Sequence, residues 1–274
     1  QCPMVQKNFG IYGNQAGNCN LYIETGQSHI ACWLKDKETG AVKAFELFSF
    51  PVNDNSAFET LLNEIALHSK LLSENFEHCF CIWEDEHHVC VPAEFYTDEL
   101  ATSYIDLMFG NLQNMQYCKD TLDDFVTIAA ISNNSLSIMD KKFRVAAHTH
   151  KFYSLLGLQK NTTGDNVKIV FYSSHFILVA YKQGVLQLIQ RFTYSTKEDV
   201  LYHILNVCSR FQINTDEAPV KVTGMIDEHS SLYQSLHTYI KELSLETPDA
   251  SLYQAEGFHE YPLHYFDSFC CTVI

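Results

Sequence analysis

From Leu21 to Leu34 (LYIETGQSHIACWL) apolar residues alternate with polar ones, pause at a small polar turn, and alternate again. Period-two alternation marks a strand, and a turn this short joins antiparallel neighbours. Ala41–Phe50 (AVKAFELFSF) continues the pattern as a third strand. The period then changes: Phe58, Leu61, Leu62, Ile65, Ser69 and Leu72 recur at helical spacing behind Ser56-Ala57-Phe58-Glu59, which has the form of a capping box. A short apolar strand, Cys79–Trp83, closes the unit.

The same order returns further along the chain. Shifted by 146 residues, Leu21–Leu34 falls on Val167–Ala180 (VKIVFYSSHFILVA), with Ser28-His29 on Ser174-His175. Ala41–Phe50 falls on Val185–Tyr194 at an offset of 144, and the difference lies in the connecting turns, where length change is tolerated. Thr196 then caps a helix with Asp199 in the third place, its stripe being Val200, Leu201, Ile204, Leu205, Cys208 and Phe211; Val220–Gly224 is the closing strand. Strand, strand, strand, helix, strand thus occurs twice, which predicts an internal duplication and two α/β lobes. The polar run Lys160–Asn166 is rich in turn formers and sets the boundary, giving lobes 1–160 and 161–274.

The first copy is followed by a predicted hairpin near Val89–Val91, a helix from Asp98, a strand at Phe125–Ile131 and a helix near Ser135–Phe143. The second is followed by a helix at Ser230–Leu243, a strand near Leu252–Glu256 and an apolar segment from Tyr261.

Composition narrows the function. Of 274 residues, 46 % are hydrophobic, so an ordered chain is expected throughout. The net charge of −15, with 18 scattered Lys and Arg, argues against nucleic acid and anionic membrane surfaces as partners. No apolar run approaches the roughly 20 residues of a membrane span, and QCPMVQKNFG lacks the order of a signal peptide. A cytoplasmic protein without membrane insertion is expected, its ten cysteines reduced because their spacing follows no disulfide framework.

Candidate chemistry is sparse. Cys79, Cys81, His87, His88 and Cys90 are zinc-type ligands, but their spacing fits no common zinc pattern and Cys79 and Cys81 alternate on a strand; no metal is expected. His148 and His150 lack a third ligand by spacing. There is no G-x-S-x-G elbow, Walker loop or G-x-G-x-x-G fingerprint. The terminal Cys271-Thr272-Val273-Ile274 matches a loose prenylation pattern without a basic cluster, and the sequons at Asn133 and Asn161 carry no meaning in a cytoplasmic protein.

The duplicated order resembles the actin-like ATPase superfamily, in which each lobe is a ribonuclease-H-like unit. Tyr261–Phe266 (YPLHYF), with the overall length and order, is similar to an uncharacterised bacterial domain-of-unknown-function family of that fold. The resemblance implies a two-lobed fold whose first turn in each lobe is a phosphate loop and whose later strand ends in Gly-Gly near adenosine. In the first loop Glu24, Gly26 and Ser28 take the places of the magnesium-holding acid, the close-approach glycine and the hydroxyl donor. The plainer reading of Glu24-Thr25-Gly26 is a hairpin turn with an exposed acid. The second loop offers Ser173 and Ser174 but has Val170 where an acid belongs; at the adenosine strand Gly224 is kept and Met225 replaces the second glycine. These departures imply a non-hydrolysing pseudo-ATPase that holds no cofactor and presents a surface to a protein partner. The alternative is an active ATPase or ATP-dependent phosphotransferase with magnesium on Glu24 in the inter-lobe cleft.

Overall fold

Alternation becomes strand and the 3.6-residue period becomes helix in a computed structural model that describes residues 5–13, 18–51, 58–122, 124–158 and 163–271. The cap expected at Ser56, the boundary residues Lys160, Asn161 and Thr162, and the terminal Thr272-Val273-Ile274 lie outside the described residues. In chain order the elements are β1 (Gln6–Tyr12), β2 (Cys19–Gly26), β3 (His29–Asp36), β4 (Val42–Ser49), α1 (Phe58–His68), β5 (Cys79–Glu84), β6 (His88–Pro92), α2 (Ala101–Phe109), β7 (Met115–Thr121), β8 (Phe125–Ser132), α3 (Asn133–Lys142), β9 (Val145–His150) and α4 (Lys151–Gly157). There follow β10 (Asn166–Phe171), β11 (His175–Lys182), β12 (Val185–Thr193), α5 (Lys197–Arg210), β13 (Val220–Gly224), α6 (Ser231–Tyr239), β14 (Leu243–Leu245) and α7 (His264–Cys270).

Two compact units result, one taking the chain up to Leu158 plus Asp249–Glu260, the other ending at Pro248 and adding Tyr261–Cys271. The first holds a six-stranded sheet of order β1-β4-β3-β2-β5-β9, in which β2, β5 and β9 run parallel and the rest antiparallel. The second holds β12-β11-β10-β13-β14, with β10, β13 and β14 parallel. Both repeat one pairing scheme at the offsets visible in the sequence. Leu21 faces Leu34 as Val167 faces Ala180, and Ile30 faces Phe48 as Phe176 faces Phe192. The turn closes alike in each: Phe50 N–H donates to the Ser28 carbonyl, Tyr194 N–H to the Ser174 carbonyl.

Each sheet buries one face under helices. Leu61, Leu62 and Ile65 of α1 pack on Leu21, Ile23, Cys79 and Cys81 in one core, and Val200, Ile204 and Cys208 of α5 on Val167, Ile169 and Val222 in the other. Thr196 and Asp199 form the expected capping box of α5. Cys79 and Cys81 point into the core, as their alternation requires.

Several expectations need correction, and β7, β9 and α4 join β1 as elements the pattern does not predict. β1 was not foreseen; it is an edge strand on β4 in which only Ile11 is fully buried, so its periodicity is faint. The Val89–Val91 segment is no hairpin, because β6 pairs with distant β8 in the separate antiparallel sheet β6-β8-β7. The chain after Ser230 is helical only to Tyr239, and the parallel strand is Leu243–Leu245. Leu252–Glu256 is not a strand: 3₁₀ turns occupy Ala250–Leu252 and Glu256–Glu260, and the segment joins the first unit through the Tyr253 bridge to Val42. No helix among the described residues is long and apolar enough to cross a membrane.

Candidate functional site

Three parallel strands of the first unit end together, β2 at Gly26, β5 at Glu84 and β9 at His150, and Gly26 lies in register with Glu84. Ligands of α/β sheets bind beyond such carboxyl ends. The β2–β3 turn therefore occupies the position where function is expected. Its acid does not behave as a turn acid.

Glu24 is fully buried rather than exposed. Its Oε2 accepts from Nζ of Lys151 at 2.5 Å, and its Oε1 lies 3.1 Å from Nε2 of His29. Lys151 is equally buried, at the start of α4 directly after β9. Burial alone would push the Glu24 carboxyl up, but Lys151 and His29 outweigh it and hold the group at about 2. An ionised acid so paired is an internal counter-charge. Gly26 has a packing role of its own, since a Cβ there would overlap the His29 imidazole and press on the Glu84 carboxylate. Ser28 is half-buried in the turn, its carbonyl taken by Phe50.

In the second unit Ser173 and Ser174 are exposed at the tip of the β10–β11 turn. The Tyr194 hydroxyl donates to the Tyr172 carbonyl beneath them at 2.9 Å. Gly224 ends β13 in register with Phe171, at φ +86°, where a Cβ would overlap the Phe171 carbonyl. Glycine is thus required there by the backbone alone. Ser173, Ser174 and Gly224 belong to the second unit, and Glu24, Gly26 and Ser28 to the first.

A cavity of about 210 Å³ opens beside the first turn, lined by Gly26, Gln27, Trp83, Glu84, Asp85 and Phe58 among others. Asp85 is fixed by imidazoles. His87 Nδ1 lies 3.0 Å from its carboxylate, and His150 Nε2 lies 3.1 Å from its carbonyl. Because His150 Nδ1 accepts from Phe152 N–H, its proton sits on Nε2, which donates to that carbonyl. Burial holds the His150 imidazole well below its ordinary range and so neutral. Burial also raises the Asp85 carboxyl, but the His87 contacts outweigh it and leave the group below its ordinary range.

A magnesium nucleotide fits this lining poorly. Among the residues that line the cavity two are carboxylates and none is Lys, Arg or His, so no cationic side chain of the lining would pair with the phosphate oxygens. Glu24 is fully buried, with one oxygen on Lys151 and the other facing His29, so it presents no open carboxylate edge to the cavity. Among the described residues no group of three or more His, Cys, Asp or Glu is placed to hold a metal ion.

Sequence reasoning passed over Lys151, Glu84 and Asp85. Lys151 is 127 residues from Glu24 and sits in a segment without a motif, so nothing local marks it. Glu84 and Asp85 had a signal: they end the apolar strand CFCIW, at the carboxyl end where sites form.

Comparison places these features among known proteins. The family described as Protein of unknown function (DUF3822) matches residues 9–243. No curated protein matches the chain. Among solved structures, a Bacteroides thetaiotaomicron VPI-5482 protein with actin-like ATPase fold and unknown function is 15 % identical, with a TM-score of 0.72 over 85 % of this chain and 92 % of that one. A chain of the PilM-PilN type IV pilus biogenesis complex is 12 % identical, with a TM-score of 0.59 over 92 % of this chain and 96 % of that one. Both similarities show the fold: an actin-like ATPase fold of two lobes.

Proposed function

Given that the chain belongs to the DUF3822 family of unknown function and carries the actin-like ATPase fold, we propose that it is a non-hydrolysing member that works by presenting a surface to a protein partner in the bacterial cytoplasm. On this reading its two lobes, 1–160 and 161–274, descend from one duplicated ribonuclease-H-like unit, apart from the return of Asp249–Glu260 to the first. The matched hairpin registers support that descent.

One observation carries the reading. The acid that would hold magnesium, Glu24, is consumed by Lys151 and His29 in the interior, and the equivalent position in the second unit is Val170, which can neither orient a metal-bound water nor accept a proton. The similar chain from the PilM-PilN complex shows this fold in a protein that assembles with another; the same mode is proposed here, with ATP and magnesium absent from the working protein.

Thermal denaturation with and without magnesium and ATP, ADP or AMP tests the cofactor side of the proposal. A ligand bound only by the folded state at 100 times its Kd adds about 2.7 kcal/mol. No shift is expected at millimolar nucleotide. A reproducible upward shift would show a retained nucleotide site.

A further inference from the structure

Helix α2 belongs to the first unit and packs on β8 and β6 of the three-stranded sheet. Its inward face is short: Ile105 is fully buried, and Ala101, Tyr104 and Phe109 pack partly against Val91, Val126 and Ile128. A helix with one covered face should be polar on the other. This one is not. Leu107 is 83 % exposed, Met108 66 % and Leu100, at the N-cap, 46 %. Leu100, Leu107 and Met108 stand at i, i+7 and i+8 of one stripe, and half-buried Tyr104, at i+4, borders both that stripe and the covered face.

The stripe extends beyond the helix. The Tyr104 hydroxyl donates to the Phe95 carbonyl, which draws the preceding 3₁₀ turn against α2. Phe95 is itself 64 % exposed. Four large apolar side chains in one 14-residue stretch make a patch on the order of a few hundred Å², the size that marks interaction sites on soluble proteins.

Charge says what covers it. Between Pro92 and Gly110 there are four acids, Glu94, Asp98, Glu99 and Asp106, and no Lys, Arg or His. Lys119, which reaches this surface, is paired with Asp98 at 2.6 Å. A second copy of this chain would bring acid against acid, and an anionic lipid surface would be repelled in the same way. A partner with apolar anchors flanked by Lys or Arg gains both burial and charge complementarity.

We propose that the outward face of α2, with Phe95, docks an amphipathic helical segment of a partner protein, apolar on one side and basic along its edges. This inference rests on the reading of the chain as a partner-binding protein and names the partner's chemistry. The stripe spans two turns, so a partner segment of roughly three turns covers it, at 1.5 Å rise per residue.

The test uses the full chain and a synthetic 14-residue helical peptide of Leu and Lys with one apolar face, LKKLLKLLKKLLKL, its binding followed by fluorescence anisotropy. Saturable binding is expected that weakens at least tenfold in Leu107→Ser/Met108→Ser and severalfold in Glu94→Gln/Glu99→Gln, and that declines with salt. These side chains are exposed, so circular dichroism should confirm unchanged folding of each variant. No saturable binding, or binding equal in wild type and variants, overturns the proposal. So does concentration-dependent self-association lost in Leu107→Ser/Met108→Ser, which would assign the face to a second copy, or co-sedimentation with phosphatidylglycerol vesicles, which would assign it to a membrane. All of these outcomes leave the non-hydrolysing reading intact, since ATP turnover decides that.

Discussion

The Glu24 carboxylate makes its living inside the molecule. Two opposite charges, Glu24 and Lys151, are both fully buried 2.5 Å apart, and removing one partner from such a pair costs about 3–5 kcal/mol because the other is left charged in the interior. Lys151→Met should therefore lower stability by about that amount in urea denaturation, far more than an exposed lysine. pH separates this from a packing defect. The wild-type carboxyl, held at about 2 against an unfolded value near 4.5, contributes stability above pH 4.5 that is lost as pH falls toward 2. In Lys151→Met the Lys151 share of that contribution is already gone and only the His29 share remains, so the gap between wild type and variant should narrow on acidification. A gap that stays constant would show that lost packing, not charge, explains the defect.

The glycines at the two sites give a second contrast among single residues. Gly26→Ala clashes with a side chain, His29, whereas Gly224→Ala clashes with the Phe171 backbone at φ +86°. Both should destabilise by about 1–3 kcal/mol. Only the first should couple to a side-chain deletion: its cost should shrink in a His29→Ala background, while that of Gly224→Ala should persist in Phe171→Leu. Equal coupling at both positions would contradict the assignment of His29 as the obstacle.

Among the elements, α5 shows how a local signal becomes measurable stability. Thr196 accepts from Asp199 N–H while the Asp199 side chain accepts from the backbone at Ser195 and Thr196. Thr196→Ala should cost about 1 kcal/mol, read as a fall in the denaturation midpoint at unchanged slope; no loss would mean the cap is redundant with packing. Elements of this kind were legible because their signals are local. The strand-helix-strand order and the α5 cap follow from local spacing, and the hairpins match because each carries the same local pattern, 146 and 144 residues apart. β14 was not legible, since three residues (LSL) are too few to show a period, and Leu252–Glu256 misled because its apolar residues pack through 3₁₀ turns. The candidate site was half legible: Glu24 and Gly26 could be picked out as special, but their partners Lys151 and Glu84 come from distant chain, and only tertiary structure shows whether a turn acid faces out or in.

At the scale of the whole molecule, two units share one pairing scheme but not one chemistry. The first places a buried acid where the second places Val170, and the cavity beside the first turn is lined by carboxylates without a cation. A net charge of −15 is equally poor at attracting nucleotide phosphates and well suited to a basic partner. On the proposed reading, an actin-like ATPase fold carries structural residues, Glu24 in its ion pair and Val170, at the positions where hydrolysis would need acids. The most direct measurement is phosphate release from ATP and magnesium by the purified full chain. The account predicts none above a protein-free blank. Steady release that co-purifies with the chain and falls in Glu84→Gln or Asp85→Asn would contradict it.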